Sequence, residues 1–212
     1  MDRPAGLREL PWYLRHRVGS RAASEARRLV IRATHRHCRV EFRGPVHLGP
    51  GFSLDIPGRG TLIVGSGVEF RRGFVCQIQG DGRVEIGDGA VFTAGCLIQC
   101  STSIEIGPGV VVGQAGLIVD GRHRFRDPDR HLLAQGYDFK PIRIEEDAVI
   151  MGKCTIFANI GRRAVIGAHS VVSRDIPAYT LALGAPARPV EYFGPGVGPP
   201  GVPVTTGKDK VE

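Results

Sequence analysis

An interval of six restricts this chain more than any other feature. Between Phe42 and Val172, apolar residues recur at every sixth position in groups of three: Phe42, Leu48, Leu54; Val64, Phe70, Cys76; Ile86, Phe92, Ile98; Ile106, Val112, Ile118; Ile144, Ile150, Ile156; and Ile160, Ile166, Val172. All eighteen positions are apolar in a chain that is 42% hydrophobic. Composition alone would do this about once in 10⁷ trials. A helical face recurs at 3.6 residues and a half-buried strand at two, so neither explains the interval. Six residues make one short strand and one corner. Three such units close a triangular coil of about 18 residues, and coils stack about 4.8 Å apart like parallel strands, each placing one apolar residue per face in the interior. Glycine follows directly at Gly65, Gly87, Gly107, Gly113, Gly161 and Gly167, where a side chain would clash or a positive φ is needed. One step is oversized: Ile118 to Ile144 takes 26 residues instead of six. A loop over residues 119–143 is therefore expelled from the prism.

The pattern predicts an all-β solenoid, a parallel β-helix of about six coils over residues 40–191. Residues 1–39 read as a separate helical arm and the Gly/Pro-rich residues 192–212 as a disordered tail. No run reaches the length of a membrane-spanning helix, and the N-terminus lacks the apolar stretch of a secretion signal. The five cysteines, Cys38, Cys76, Cys96, Cys100 and Cys154, are odd in number and scattered. They read as reduced thiols of a cytoplasmic protein, and Cys96 and Cys100 lack a second pair at metal-ligand spacing, so no metal is expected.

Charge is concentrated in the arm. Residues 1–39 hold ten arginines against Asp2, Glu9 and Glu25, the whole net charge of +7, while the other 173 residues balance 18 basic with 18 acidic side chains. Bulk attraction for nucleic acid is therefore not expected of the body. Leu10, Leu14, Val18, Ala22, Ala26, Leu29 and Ala33 recur at three- or four-residue steps, the pattern of a basic amphipathic helix interrupted near Gly19. The first reading docks this stripe on the protein's own body or on a neighbouring subunit, with the arginines in water. The second lays it on an acidic partner or on an anionic membrane surface, the latter making the protein peripheral at the inner membrane.

Two segments carry a resemblance to a known family. IEIGPGVVVGQAGLIVDGRHRFRDPDRHLLAQGYDFKPIRI (Ile104–Ile144) resembles the loop region of sugar and polysaccharide O-acetyltransferases, and AVIGAHSVVSRDIPAYTLALGAPARPV (Ala164–Val190) is similar to the closing coil of the hexapeptide-repeat acyltransferases. The likeness covers about residues 40–190. It implies a left-handed parallel β-helix, a hand that spacing does not reveal and that runs against the usual crossover rule. It also implies a homotrimer, acetyl-CoA (acyl-CoA) as co-substrate, and direct acyl transfer to a hydroxyl of a sugar, glycolipid or polysaccharide precursor.

Such a reaction needs a base for the acceptor proton, positioning of both substrates and stabilisation of an oxyanion. Histidine suits the first task, because its unperturbed pKa of ~6.5 leaves it largely neutral near pH 7. His123 lies 17 residues beyond Ile106, between Arg122 and Arg124, where the resembling enzymes carry their catalytic histidine. Asp120 is expected either to orient the imidazole or hold the acceptor, or else to cap the turn before Gly121. His131 is a rival base, His169 an exposed corner residue, and Asp127-Pro128-Asp129 a turn. By motif alignment, Gly152 and Ala168 would lie along the pantetheine arm of coenzyme A, and Ser173-Arg174 occupy the family's Thr-Lys position. Arg188 follows the Gly-x-Pro turn, and it and Arg174 would meet phosphates. The chain departs from the pattern at Ala115, a sugar-contacting Asn in relatives, at Met151, usually Gly, and in the short step from Ile156 to Ile160. A galactoside-like acceptor therefore does not follow.

Other classes share parts of this reading. An N-acyltransferase acting on an amino sugar or xenobiotic would use the same coil. A γ-carbonic-anhydrase-like zinc enzyme needs three convergent histidines, and a non-catalytic β-helix scaffold would need no coenzyme A. An acyl-enzyme on Cys100 or Cys154 would need an adjacent base that the sequence does not supply.

Overall fold

The computed structural model of the chain describes residues 19–205. From residue 39 onward the chain coils as a three-sided parallel solenoid. The first coil is β1 (Arg39–Phe42), β2 (His47–Leu48) and β3 (Ser53–Asp55), and the second β4 (Thr61–Val64), β5 (Glu69–Phe70) and β6 (Val75–Ile78). The third is β7 (Arg83–Ile86), β8 (Val91–Phe92) and β9 (Leu97–Cys100), and the fourth β10 (Ser103–Ile106), β11 (Val111–Val112) and β12 (Leu117–Val119). The excursion carrying β13 (Gly121–His123) and β14 (Tyr137–Phe139) follows. The fifth coil is then β15 (Ile142–Ile144), β16 (Val149–Ile150) and β17 (Thr155–Ile156). In the sixth, Ile160 bridges Ile144 in place of a strand, followed by β18 (Val165–Ile166) and β19 (Val171–Val172).

The three strands of each coil join three separate parallel sheets, and the register is the one the six-residue interval requires. On the first face Phe42 pairs with Val64, Val64 with Ile86, Ile86 with Ile106 and Ile106 with Ile144. On the third, Leu54, Cys76, Ile98, Ile118, Ile156 and Val172 form one continuous column. All eighteen apolar positions except Leu54 are buried. Leu54, on the outermost strand of its sheet, is half-buried against the core.

The glycines after these columns are there for close approach rather than for dihedral freedom. A Cβ on Gly113 would sit 2.5 Å from Gly152 N, and one on Gly107 2.6 Å from Glu146 N, both on the next coil. Positive φ falls two residues later, at Gly67, Gly89 and Gly109 and then, in the same column, at Asp147, Arg163 and Tyr179.

Both ends of the prism are closed. β20 (Thr180–Gly184) adds a parallel strand to the second sheet, and β21 (Ala187–Tyr192) turns back antiparallel upon it. The expected disordered tail is corrected over residues 192–205. Tyr192 N–H donates to Pro203 O, Thr205 N–H to Tyr192 O, and the Tyr192 hydroxyl to Pro195 O, so a ring and three hydrogen bonds hold the Gly/Pro segment against the last strand. Residues 206–212 lie outside the described residues.

At the other end, α1 (Gly19–Thr34) lies across the first coil. It docks, but not by the stripe expected. Ser24 Oγ donates to Val46 O (3.1 Å) and accepts from Leu48 N–H (2.8 Å), and Arg27 donates to Leu48 O (2.9 Å). Ile31 alone inserts an aliphatic group into the core. Ala22, Ala26, Leu29 and Ala33 face outward, Leu29 with 65% of its surface exposed. The cause is what lies beneath the helix: the first coil presents unpaired backbone groups, which need donors and acceptors rather than hydrocarbon. His35 and His37 extend the same capping, donating from Nε2 to Leu54 O and Ile56 O. Leu10, Leu14 and Val18 of the stripe lie outside the described residues. Among those described, no helix is long and apolar enough to cross a membrane.

Candidate active site

The excursion leaves the corner where the third sheet turns toward the first, between Val119 and Ile142. β13 and β14 pair antiparallel, with His123 opposite Tyr137, Arg122 opposite Asp138 and Gly121 opposite Phe139. Gly121 is bare because a Cβ there would meet the Phe139 ring at 2.8 Å. The tip is tied by Gln135, only 9% exposed. Its Nε2 donates to Asp127 O and Arg130 O, and its Oε1 accepts from Asp127 N–H. Asp127 Oδ1 accepts from Asp129 N–H, the turn read from the sequence.

Asp120 stands at the root of this loop and is 5% exposed. Its carboxylate turns back into the preceding coil, accepting from Ser101 N–H (2.9 Å), Thr102 N–H (2.6 Å) and the Thr102 hydroxyl (2.8 Å). The expectation that Asp120 orients the imidazole or holds the acceptor is corrected, and the corner it caps is not the one before Gly121: its oxygens are committed to residues 101–102 of the preceding coil. His123 is exposed, and its ring lies against Tyr137 with centroids 4.3 Å apart. Tyr137 stacks in turn on Phe139. Aromatic packing, not a carboxylate, sets the position of the imidazole.

A cavity of about 760 Å³ opens between the excursion and the body. Its body side is a column of residues at the start of the corner in three successive coils, Val119, Phe157 and Ser173, and His123 borders it. Arg122 borders the same cavity, and its guanidinium lies 4.5 Å from the centre of the Phe157 ring. Arg124 pairs with Asp138 at 2.6 Å. His131 is exposed just before the 3-10 turn Leu132–Gln135 and lies outside the cavity wall. His169 is an exposed corner residue with φ 60°.

The residues aligned with coenzyme A contacts fall on different edges. Ser173 lines the cavity and Arg174 follows it, exposed. Gly152 and Ala168 occupy the corner between the second and third sheets, and Arg188 lies on β21 opposite Leu183. Gly152 differs from the close-approach glycines. A Cβ there would meet nothing nearer than Gln114 O at 3.4 Å, and its φ is not positive. The chain's own packing therefore does not require a glycine at this position.

Cysteine offers no nucleophile here. Burial pushes the Cys96 and Cys154 thiols up, and burial together with the nearby Asp120 charge takes Cys100 to about 12. A thiol so raised carries almost no thiolate near neutrality. Among the described residues no three His, Cys, Asp or Glu side chains gather as a metal site would require, so the three-histidine constellation of a γ-carbonic anhydrase is not assembled.

The sequence did not single out Phe157, Tyr137 or Gln135. Tyr137 and Phe139 alternate across a short strand, a usable signal, whereas Phe157 and Gln135 carried none until the excursion folded over them.

No family model matches the chain. "Probable acetyltransferase Rv3034c" of Mycobacterium tuberculosis is 37% identical over 97 residues, 45% of this chain and 32% of that protein. The chain spans about a third to two fifths of the length of the curated relatives it matches. The hexapeptide-repeat-containing acetyltransferase VCA0836 of Vibrio cholerae is 27% identical, with a TM-score of 0.52 and 79% of each chain covered. Over about four fifths of its length the chain is similar to a hexapeptide-repeat-containing acetyltransferase. Another structure of VCA0836 holds acetyl coenzyme A. A mutant of AntD, an N-acyltransferase from Bacillus cereus in complex with dTDP and coenzyme A, superposes with a TM-score of 0.66 over 79% of this chain and 89% of that one. At 15% identity that likeness speaks for the fold alone. The coil is a left-handed parallel β-helix.

Proposed function

We propose that the protein transfers an acyl group, acetyl by preference, from acyl-coenzyme A to a hydroxyl of a sugar, glycolipid or polysaccharide precursor, with His123 as general base. The observation carrying this reading is the exposed imidazole of His123 at the border of a cavity whose far wall includes Ser173. His123 takes the acceptor proton as the acceptor oxygen attacks the thioester carbonyl. The imidazolium then returns that proton to the departing sulfur, so no covalent enzyme intermediate forms. The buried, high-pKa thiols agree with direct transfer. The hydroxyl acceptor is preferred to an amine because Ile104–Ile144 resembles the O-acetyltransferase loop.

Gly152 and Ala168 supply bare backbone for the pantetheine arm, with Ser173, Arg174 and Arg188 toward its polar parts. The unforced glycine at 152 favours this: a side chain there would cost the fold little, so its absence leaves room for something outside the chain. The homotrimer is the assembly the resemblance implies; Gly152 and His123 leave from different corners, so copies packed side by side would bring donor groove and base together.

The test is His123→Ala, with folding and coenzyme A binding followed by calorimetry and transfer by thiol release from acetyl-coenzyme A. Loss of transfer by ~10²-fold or more at unchanged coenzyme A affinity is expected. Turnover within a few-fold of wild type would remove His123 from the mechanism.

A further inference from the structure

The cavity beside His123 is more cationic than removal of a proton from a neutral sugar demands. Arg122, Arg124, Arg126, Arg130 and Lys140 line it, against the carboxylates of Asp120, Asp127 and Asp138. The carboxylates are already engaged. Asp120 is bound to residues 101–102, Asp138 to Arg124, and Asp127 accepts from the backbone of Asp129. Lys140 is held by Asp175 across the corner at 3.2 Å. Arg122, Arg126 and Arg130 have no carboxylate partner among the described residues. Arg122 lies on the Phe157 ring, Arg126 lies over Phe125 at 5.2 Å, and Arg130 donates to Ala134 O.

These contacts are made by the guanidinium groups themselves, to two aromatic rings and one carbonyl, and none of them neutralises the charge. A guanidinium stacked on an aromatic face keeps its in-plane N–H groups available, and that fork matches a carboxylate or phosphate better than a neutral hydroxyl. Three guanidinium groups around one cavity, without a carboxylate partner among the described residues, repel each other, and an anion between them would relieve this. The net charge of the solenoid does not explain them, since residues 40–212 are balanced overall.

The geometry points to an anionic acceptor: a sugar unit carrying a carboxylate or a phosphate, bound by Arg122 and Arg126 with Arg130 beside them, so that a neighbouring hydroxyl reaches His123 at the border. This rests on the transferase reading above and adds the charge class of its substrate.

The experiment compares acceptors that share a ring. Neutral methyl pyranosides of the gluco, galacto and manno series are set against their 6-carboxylates (uronates) and their 6-phosphates, with thiol release from acetyl-coenzyme A as the signal. In at least one series the anionic member should exceed its neutral parent by about tenfold or more in kcat/KM, with a preference that shrinks between about 0.05 and about 0.5 M salt. The uronate and phosphate arms distinguish the two anions. Arg122→Gln and Arg126→Gln should each erase most of that preference through the acceptor KM. Neutral acceptors used equally well, or a preference that survives both substitutions, would overturn the inference. So would a rise confined to the KM of acetyl-coenzyme A, which would assign the arginines to the donor's phosphates. If nothing turns over, calorimetry with the same sugars reads the same discrimination, and equal or absent binding overturns it. Failure to bind coenzyme A in a parallel titration would sink the transferase reading separately.

Discussion

Replacing Asp120 by Ala separates two roles that the sequence left side by side. The substitution strips acceptors from three donors: Ser101 N–H, Thr102 N–H and the Thr102 hydroxyl, at 2.9, 2.6 and 2.8 Å. A hydrogen bond to an ionised acceptor contributes ~1.5–3 kcal/mol, so three fully buried ones would sum to ~5–9 kcal/mol. Ser101 and Thr102 are only half-buried, however, and water can replace part of what is lost. The expected cost is therefore ~2–4 kcal/mol. With a urea slope of ~2 kcal/mol per molar, the unfolding midpoint by circular dichroism should fall by about 1–2 M. Transfer activity measured well below that midpoint should drop only as far as the loop root loosens. A midpoint within ~0.3 M of wild type together with a ~10²-fold loss of transfer would refute the capping role and return Asp120 to the imidazole or the acceptor.

Ser24→Ala removes a hydroxyl that is 2% exposed and serves Val46 O and Leu48 N–H at once. It should cost ~1–3 kcal/mol and speed amide exchange at Leu48 first, whereas unchanged exchange there would mean that α1 is held by other contacts. Asp175 governs an acid limb. Burial pushes its carboxyl up, but bonds from Asn159 N–H, Lys140 and the Asn159 amide outweigh this and hold it below its ordinary 3.8. The folded state therefore binds the proton less readily than the unfolded chain, and the stabilisation, present above about pH 4, disappears as pH falls through the lowered value. Asp175→Asn should flatten the stability decline below pH ~4 measured by urea titration, and an unaltered decline would place the acid sensitivity elsewhere.

The solenoid was legible because its interior admits one kind of residue at one interval. Phe70, Phe92, Val112, Ile150 and Ile166 sit in register on a dry face, and no polar substitute at those positions would be satisfied there. The corners were only half legible. The glycines directly after the columns announce the close approach of the next coil, but the left-handed residues two positions later change from Gly67, Gly89 and Gly109 to Asp147, Arg163 and Tyr179. A left-handed corner occupied by an ordinary residue has no sequence signature.

Two of the departures from the sequence reading share a physical reason. Docking of the stripe on the protein's own body was one expectation, beside a neighbouring subunit or an anionic surface, and Asp120 was offered to the imidazole or the acceptor because it lies three residues from His123. In both cases the deciding partner was backbone left unpaired by the solenoid itself: the open edge of the first coil beneath α1, and the amides of residues 101–102 at a corner. Side-chain periodicity counts hydrocarbon and leaves unpaired amides uncounted, although a buried N–H without a partner costs as much as a lost hydrogen bond. In a β-helix those orphan groups occur only where coiling starts, stops or is interrupted. The expelled loop is such an interruption, so a carboxylate at its root is claimed by the corner before it is available for chemistry. His123 lies three residues further along, beyond the reach of those amides, and its ring, packed on Tyr137, borders the cavity.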